Sequence, residues 1–208
     1  MGQQQTLESG LQKMQINATE MQIKQMLGYL ELLTKWNKTH NLTAITDPSE
    51  MITLHLLDSL SVLSFIKGPR VLDVGSGAGL PGLILAIMLP DIHFMSVDSR
   101  GKKVQFQMHA AASLGLNNFT AENARIEKFQ TEQLYDQIIS RAFSNVSNFL
   151  FWTNHLIDRK GQWLAMKGRY PVEEVQQLKQ EPNQTNELFV PEFDGERHLL
   201  IFQNSTNA

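Results

Sequence analysis

Arg70-Val71-Leu72-Asp73-Val74-Gly75-Ser76-Gly77-Ala78-Gly79-Leu80-Pro81-Gly82 is the stretch that decides the fold. Its first half is a short run of β-branched and apolar residues, the pattern of a buried strand. Glycines at 75, 77 and 79 then allow a tight turn and close approach of a ligand to the backbone. LPGLILAIML follows with helical spacing, and Pro81 suits a helix start. Strand, turn and helix in that order open a βαβ unit.

The same grammar continues downstream. IHFMSVD reads as a second strand ending at Asp98, and residues 102–114 resume helical spacing with Val104, Phe106 and Met108 among polar neighbours. Residues 119–122, 136–140 and 162–166 read as further strands, with a helix over 146–157. Alternating β and α predicts a parallel sheet covered on both faces. Toward the end, PVEEVQQLKQ reads as a short helix, NELFVPEF as a strand interrupted by Pro191, and HLLIFQN as the last strand. These last two predict a terminal hairpin that closes the sheet.

Upstream of Pro69 the pattern is helical. Met26, Leu27, Leu30, Leu33 and Trp36 recur mostly every three or four residues, and Thr19 stands where an N-cap belongs. A second helix is predicted over 49–65, begun by Pro48 and Ser49 and ended by Gly68 and Pro69. The chain therefore divides into a helical cap, residues 1–66, and a Rossmann-like domain, residues 67–208.

Asp98 lies 21 residues after Gly77, at the end of the next strand, where a carboxylate accepts hydrogen bonds from ribose hydroxyls. Glycine turn and acidic partner together point to an adenosyl nucleotide. A dinucleotide-binding G-x-G-x-x-G frame started at Gly75 meets Leu80 at its last glycine, which disfavours an NAD-dependent oxidoreductase. Gly101-Lys102-Lys103 is no P-loop. An acidic residue near the end of the first strand followed by alternating glycines suits S-adenosylmethionine. Asp73 then either contacts the cofactor's amino-acid portion or holds the glycine turn by accepting backbone N–H bonds.

Composition bounds the rest. The 208 residues are 42% hydrophobic and contain no cysteine, which excludes disulfides, thiolate zinc sites and a cysteine nucleophile. No His/Asp/Glu cluster suggests a metal. The apolar run over 80–89 is far shorter than the roughly 20 residues a membrane span needs, and the N-terminus lacks the basic and apolar runs of a secretory signal. A cytoplasmic protein with no membrane partner is expected, and a monomer, because no heptad seam appears. The formal charge is -3, yet residues 1–96 carry 6 basic and 8 acidic side chains, 97–169 carry 10 and 6, and 170–208 carry 2 and 7. The balances of -2, +4 and -5 keep a polyanionic substrate in play, since recognition follows the local field.

Several blocks in one order give the chain a family resemblance. They are Lys35-Trp36-Asn37-Lys38 with Asn41-Leu42-Thr43, His55-Leu56-Leu57-Asp58-Ser59, the glycine turn, Asp98-Ser99 with Lys102-Lys103, Ser140-Arg141-Ala142-Phe143, Lys167-Gly168, and Gly195-Glu196-Arg197-His198. Spread over 35–198, they closely resemble the bacterial ribosomal RNA small subunit methyltransferase G family, also called glucose-inhibited division protein B. The resemblance implies a class I S-adenosylmethionine-dependent methyltransferase with a mostly parallel seven-stranded sheet whose last strand is antiparallel. It also implies methyl transfer to N7 of a guanine in the 530 loop of 16S ribosomal RNA, free or in a ribosomal particle. A nonenzymatic adenosyl-nucleotide or RNA-binding regulator would use the same surface without chemistry.

Site candidates follow. The cofactor is expected on Asp73, Gly75, Ser76, Gly77, Gly79 and Leu80, with Asp98 at the ribose and Ala124 and Arg125 beside the adenine. Arg141, after the fourth strand, is the leading catalytic candidate on the substrate side and also borders the cofactor, with a structural ion pair as its alternative; Ser140 and Ala142 border the methionine end. Lys102, Lys103, Lys167, Arg169 and Arg197 are candidate RNA contacts. His55 and Asp58, three apart on one helix, either shape the RNA pocket or share a local hydrogen bond. His198 reads as structural, and Trp36, Trp152 and Trp163 as packing.

Overall fold

In the computed structural model, which describes residues 2–204 apart from Ala142, Ser144 and Lys179, helices precede the sheet. The expectation placed on Ala142 lies outside the described residues. The first helix, α1 (Gln3–Lys13), was not expected: its stripe is only Leu7, Gly10 and Leu11. Gly10 is there for close approach, since a Cβ would sit 2.5 Å from the Leu57 side chain. Next, α2 (Glu20–His40) starts at Thr19, whose hydroxyl accepts the Gln22 N–H at 3.2 Å, and ends at Asn41 in the left-handed region. It buries Met26, Tyr29, Leu30 and Leu33, each worth about 1.5–3 kcal/mol of transfer free energy.

The helix expected over 49–65 is three pieces. These are α3 (Pro48–Met51), a π-helical run Ile52–Leu57 and α4 (Asp58–Leu60), before a short 3-10 turn at Leu63–Phe65. Its cap is Asp47, which accepts the Ser49 and Glu50 N–H groups at 2.9 and 3.1 Å, with Pro48 in the first helical turn. A π-helical run of this length is uncommon and concentrates at functional sites.

From Arg70 the alternation holds: β1 (Arg70–Val74), α5 (Gly82–Met88), β2 (His93–Asp98), α6 (Gly101–Leu114), β3 (Phe119–Asn123), β4 (Tyr135–Ser140), α7 (Val146–Thr153) and β5 (Ile157–Lys167). Then come α8 (Val172–Gln176), β6 (Gln184–Glu187) and β7 (His198–Gln203). The seven strands lie in the order β3-β2-β1-β4-β5-β7-β6. β1 to β5 pair in parallel, and β7 runs antiparallel to both neighbours. The expected strand at NELFVPEF is displaced toward the N-terminus. Leu188 and Val190 leave the sheet and join the core instead. The expected terminal hairpin does close the sheet: β7 pairs antiparallel with β6, lies between β5 and β6, and leaves β6 as the edge.

Strand period two explains the layers. Val71, Leu164, Leu199 and Ile201 face a core shared with α1, α2, α5 and α6, whereas Leu72, Trp163, Leu200 and Phe202 face one shared with α7. Both faces are apolar, as a parallel sheet with helices on each side requires. Residues Leu7, Leu11, Tyr29 and Leu33 of the first helices pack in the same cluster as Ile84 and Phe106. Among the described residues no helix is long and apolar enough to cross a membrane.

Candidate active site

The carboxyl ends of β1 to β5 carry two clefts. The first, about 480 Å³, lies over β1, β2 and β3 and is lined by Gly75, Asp98, Lys103, Ala124, Arg125 and Trp152, among others. Val74 and Gly75 bring the start of the glycine turn to its wall, and in that turn Gly75, Gly77 and Gly79 have φ of 69°, 61° and 87°, a region that favours glycine.

Side chains from four elements hold that turn. Asp98 accepts the Gly77 N–H through Oδ2 and the Arg100 N–H through Oδ1, both at 2.9 Å. Its oxygens keep further lone pairs at the cleft wall. Gln107 of α6, fully buried, donates Nε2 to the Gly77 carbonyl at 2.8 Å and to Ser76 Oγ at 2.9 Å, and Ser76 also bonds Ser96 through its hydroxyl. From α2, the buried Tyr29 hydroxyl donates to the Ala78 carbonyl at 2.8 Å.

Asp73 sits beneath the turn with no exposure and accepts the Gly82 N–H through Oδ2 at 2.8 Å. It therefore holds the turn, while its Oδ1 is buried without a partner among the described residues. Burial pushes its pKa up to about 7, against the Gly82 hydrogen bond and the Arg141 charge, which lower it. The frame starting at Gly77 does satisfy G-x-G-x-x-G through Gly79 and Gly82, so glycine spacing alone does not set a dinucleotide aside. In the structure the Gly82 N–H is given to Asp73 rather than presented to a pyrophosphate.

The second cleft, about 340 Å³, lies where β4 and β5 meet the π-helical run, and is lined by His55, Asp58, Arg141, Lys167 and Arg197 with Ile45, Leu54 and Met166. Arg141 donates Nη1 to the Leu54 carbonyl and to Asp58 Oδ2, each at 3.0 Å. Arg197 donates Nε to Asp58 Oδ1 at 2.6 Å, and its guanidinium stacks 4.0 Å from the Phe193 ring centroid. Lys167 bonds the Phe143 carbonyl at 3.1 Å and Glu174 at 3.1 Å. His55 is buried, with Nε2 on the Thr43 hydroxyl at 3.1 Å. Burial first and the Arg141 charge second lower its pKa to about 4, so it is neutral at pH 7.

The expected residues thus separate. Gly75, Asp98, Lys103, Ala124 and Arg125 meet at the first cleft; Arg141, Lys167 and Arg197 meet at the second. Asp73, Ser76, Gly79 and Leu80 are buried below the turn, while Lys102 and Arg169 are exposed outside both clefts. His198 bonds the Gly168 carbonyl at 2.9 Å. Trp163 donates to Thr153, whereas Trp152 lines the first cleft and packs edge-on against Phe143. Tyr29 and Gln107 were not singled out in the sequence, although both are polar members of apolar helical stripes, a signal that such a side chain has a buried partner. Among the described residues no group of three His, Asp or Glu side chains is gathered for a metal.

Strand order, glycine turn and acidic strand end together define a class I methyltransferase of Rossmann-like type. Solved structures share the architecture. A SAM-dependent methyltransferase from Aquifex aeolicus matches with a TM-score of 0.57 at 19% identity over 76% of this chain and 93% of that one. TrmN from Thermus thermophilus matches with a TM-score of 0.54 at 18% identity over 70% and 46%. Residues 22–200 match the family described as GidB, rRNA small subunit methyltransferase G, and the chain belongs to that family. Proteins called ribosomal RNA small subunit methyltransferase G are 46% identical in Methylobacillus flagellatus, over 95% of this chain and 97% of that one, and 47% identical in Pseudomonas fluorescens, over 96% and 94%.

Proposed function

We propose that the protein transfers a methyl group from S-adenosylmethionine to N7 of a guanine in the 530 loop of small-subunit ribosomal RNA. The observation that carries the reading is the pair of clefts on one sheet edge, one with the start of a glycine turn and the Asp98 carboxylate at its wall and one lined by cations. Lys167 of the second bonds the carbonyl of Phe143, which lines the first.

The residues of the first cleft fit the cofactor. Asp98 would take the ribose hydroxyls, and Ala124 and Arg125 would border the adenine, while Asp73, buried beneath the turn, would act on the cofactor's amino-acid portion through its charge. When bound, S-adenosylmethionine supplies an electrophilic methyl group on a sulfonium. Guanine N7 carries an in-plane lone pair and loses no proton, so the protein needs no general base. Its work is positioning and charge placement. Phe143 and Trp152 line the wall that would exclude water, and Arg141 and Arg197 bring cationic donors suited to a phosphate or the guanine O6, leaving N7 free. Residues 1–66 would act as a cap contributing Asp58 and His55 to the substrate side of the 67–208 domain. The protein would work in the cytoplasm as a monomer.

The test incubates the protein with labelled S-adenosylmethionine and either free ribosomal RNA or intact small subunits, then maps the methylated purine. Label at guanine N7 of the 530 loop is expected. Cofactor binding without RNA methylation on either substrate would favour a regulator and defeat the proposal.

A further inference from the structure

Asp58 joins segments the sequence keeps far apart. It lies in the N-terminal helices, 83 residues before Arg141 and 139 before Arg197. Its side chain is 3% exposed, and each carboxylate oxygen accepts from a different guanidinium. The two arginines are 27% and 23% exposed at the cleft wall.

The stoichiometry separates this group from an ordinary strut. Nearby, Lys167 pairs with Glu174 at 3.1 Å, one cation to one carboxylate among the described residues. Asp58 instead holds two cations with one anion, which leaves a surplus positive charge facing the cleft. Among the described residues Arg141 spends only Nη1, and Arg197 spends Nε and Nη1. Their remaining N–H donors have no protein acceptor there and are available to a ligand. A planar guanidinium fixed at one edge presents its other edge in a set direction.

We propose, building on the RNA reading above, that Asp58 is a positioning residue: it orients Arg141 and Arg197 as a two-armed clamp on the RNA nucleotide that enters the second cleft. As a charge alone, Asp58 opposes RNA binding. As an aligner, it sets where the nucleotide comes to rest relative to the methyl donor. Substitution separates these effects, because Asp58→Asn keeps the shape and removes the charge.

The experiment compares wild type, Asp58→Asn and Asp58→Glu by cofactor titration, RNA Kd over a salt series, single-turnover methylation, and NMR of the arginine Nε–H signals. For Asp58→Asn we expect unchanged cofactor Kd, RNA Kd equal or tighter with a steeper salt slope, and single-turnover kcat lower on the order of 10²-fold. The slowly exchanging Arg197 Nε–H signal is lost. Asp58→Glu restores part of kcat, because the carboxylate remains. Unchanged kcat with unchanged Nε–H signals in Asp58→Asn would overturn the proposal. So would parallel losses of cofactor binding, melting temperature and kcat in both variants, the mark of a structural strut. A wild-type protein that binds cofactor and keeps the Nε–H signals but methylates no RNA would instead defeat the functional reading on which the clamp rests.

Discussion

The two clefts are built by opposite means. The first is made chiefly of main chain: a glycine turn bent at positive φ and held by Asp73, Asp98 and Gln107, all bonding backbone groups. The second is made of side chains that meet across the fold, Asp58 with Arg141 and Arg197. Damage to the first should cost cofactor binding and stability; damage to the second should cost turnover of RNA with the cofactor still bound.

The strongest break of that contrast is Gly82→Val. A Cβ at residue 82 would lie 2.7 Å from Asp73 Oδ2, so the turn and its buried carboxylate must separate. A loss of about 2–3 kcal/mol in urea unfolding is expected, together with loss of cofactor binding. Retained cofactor affinity would show that the turn is less fixed than its hydrogen bonds indicate.

Asp98→Ala and Arg141→Ala sharpen the same division. Removing the Asp98 carboxylate takes charged hydrogen bonds worth about 1.5–3 kcal/mol, so cofactor Kd should rise roughly 10- to 100-fold with the RNA Kd little changed. Arg141→Ala should leave cofactor Kd within about threefold while lowering methylation, as read by titration and single-turnover assay. Equal losses in both assays for both variants would abolish the distinction between the clefts.

The clefts also differ in how pH acts on them. Asp73 has a folded pKa of about 7 against an ordinary value of 3.8. Above pH 4 the folded state therefore binds more protons than the unfolded one, and stability falls as pH rises toward 7, then levels. His55 has the opposite sign: with a folded pKa of about 4 against 6.5, its neutral form adds stability above pH 6.5 that is lost as pH falls toward 4. Asp73→Asn should flatten the first slope and leave the second, measured by urea unfolding from pH 4 to 8. A cationic cofactor group beside Asp73 would favour its ionised form, so cofactor affinity should rise from pH 6 to 8 in wild type and not in the Asn variant.

Tyr29→Phe is the mildest. It removes one hydrogen bond from α2 to the Ala78 carbonyl, worth about 1 kcal/mol. Cofactor Kd should rise by less than about tenfold with RNA turnover at saturation unchanged; no change at all would mean that the N-terminal helices do not brace the turn.

How much of this was legible in the chain follows the same division. The turn at Gly75, Gly77 and Gly79 and the strand-end carboxylate Asp98 could be placed because one βα unit of nearly fixed length separates them. Arg141, Lys167 and Arg197 were recognised as basic residues at strand ends, but their partners were not. Asp58 was expected either to shape a pocket with His55 or to share a local hydrogen bond with it; both line the second cleft, and Asp58 bonds residues 83 and 139 positions on. Strand β6 was misplaced because LFV reads as a strand locally, whereas Leu188 and Val190 are more stable in the helix-side core.

The sequence by itself determined the parallel sheet, the glycine turn and the carboxylate at the end of β2, because each rests on local periodicity or on backbone conformations that few residues adopt. The tertiary structure alone decided that β7 lies inside the sheet, that Tyr29 and Gln107 hold the turn, and that one buried carboxylate pairs with two arginines. Those outcomes depend on long-range packing and charge pairing, which sequence spacing does not encode.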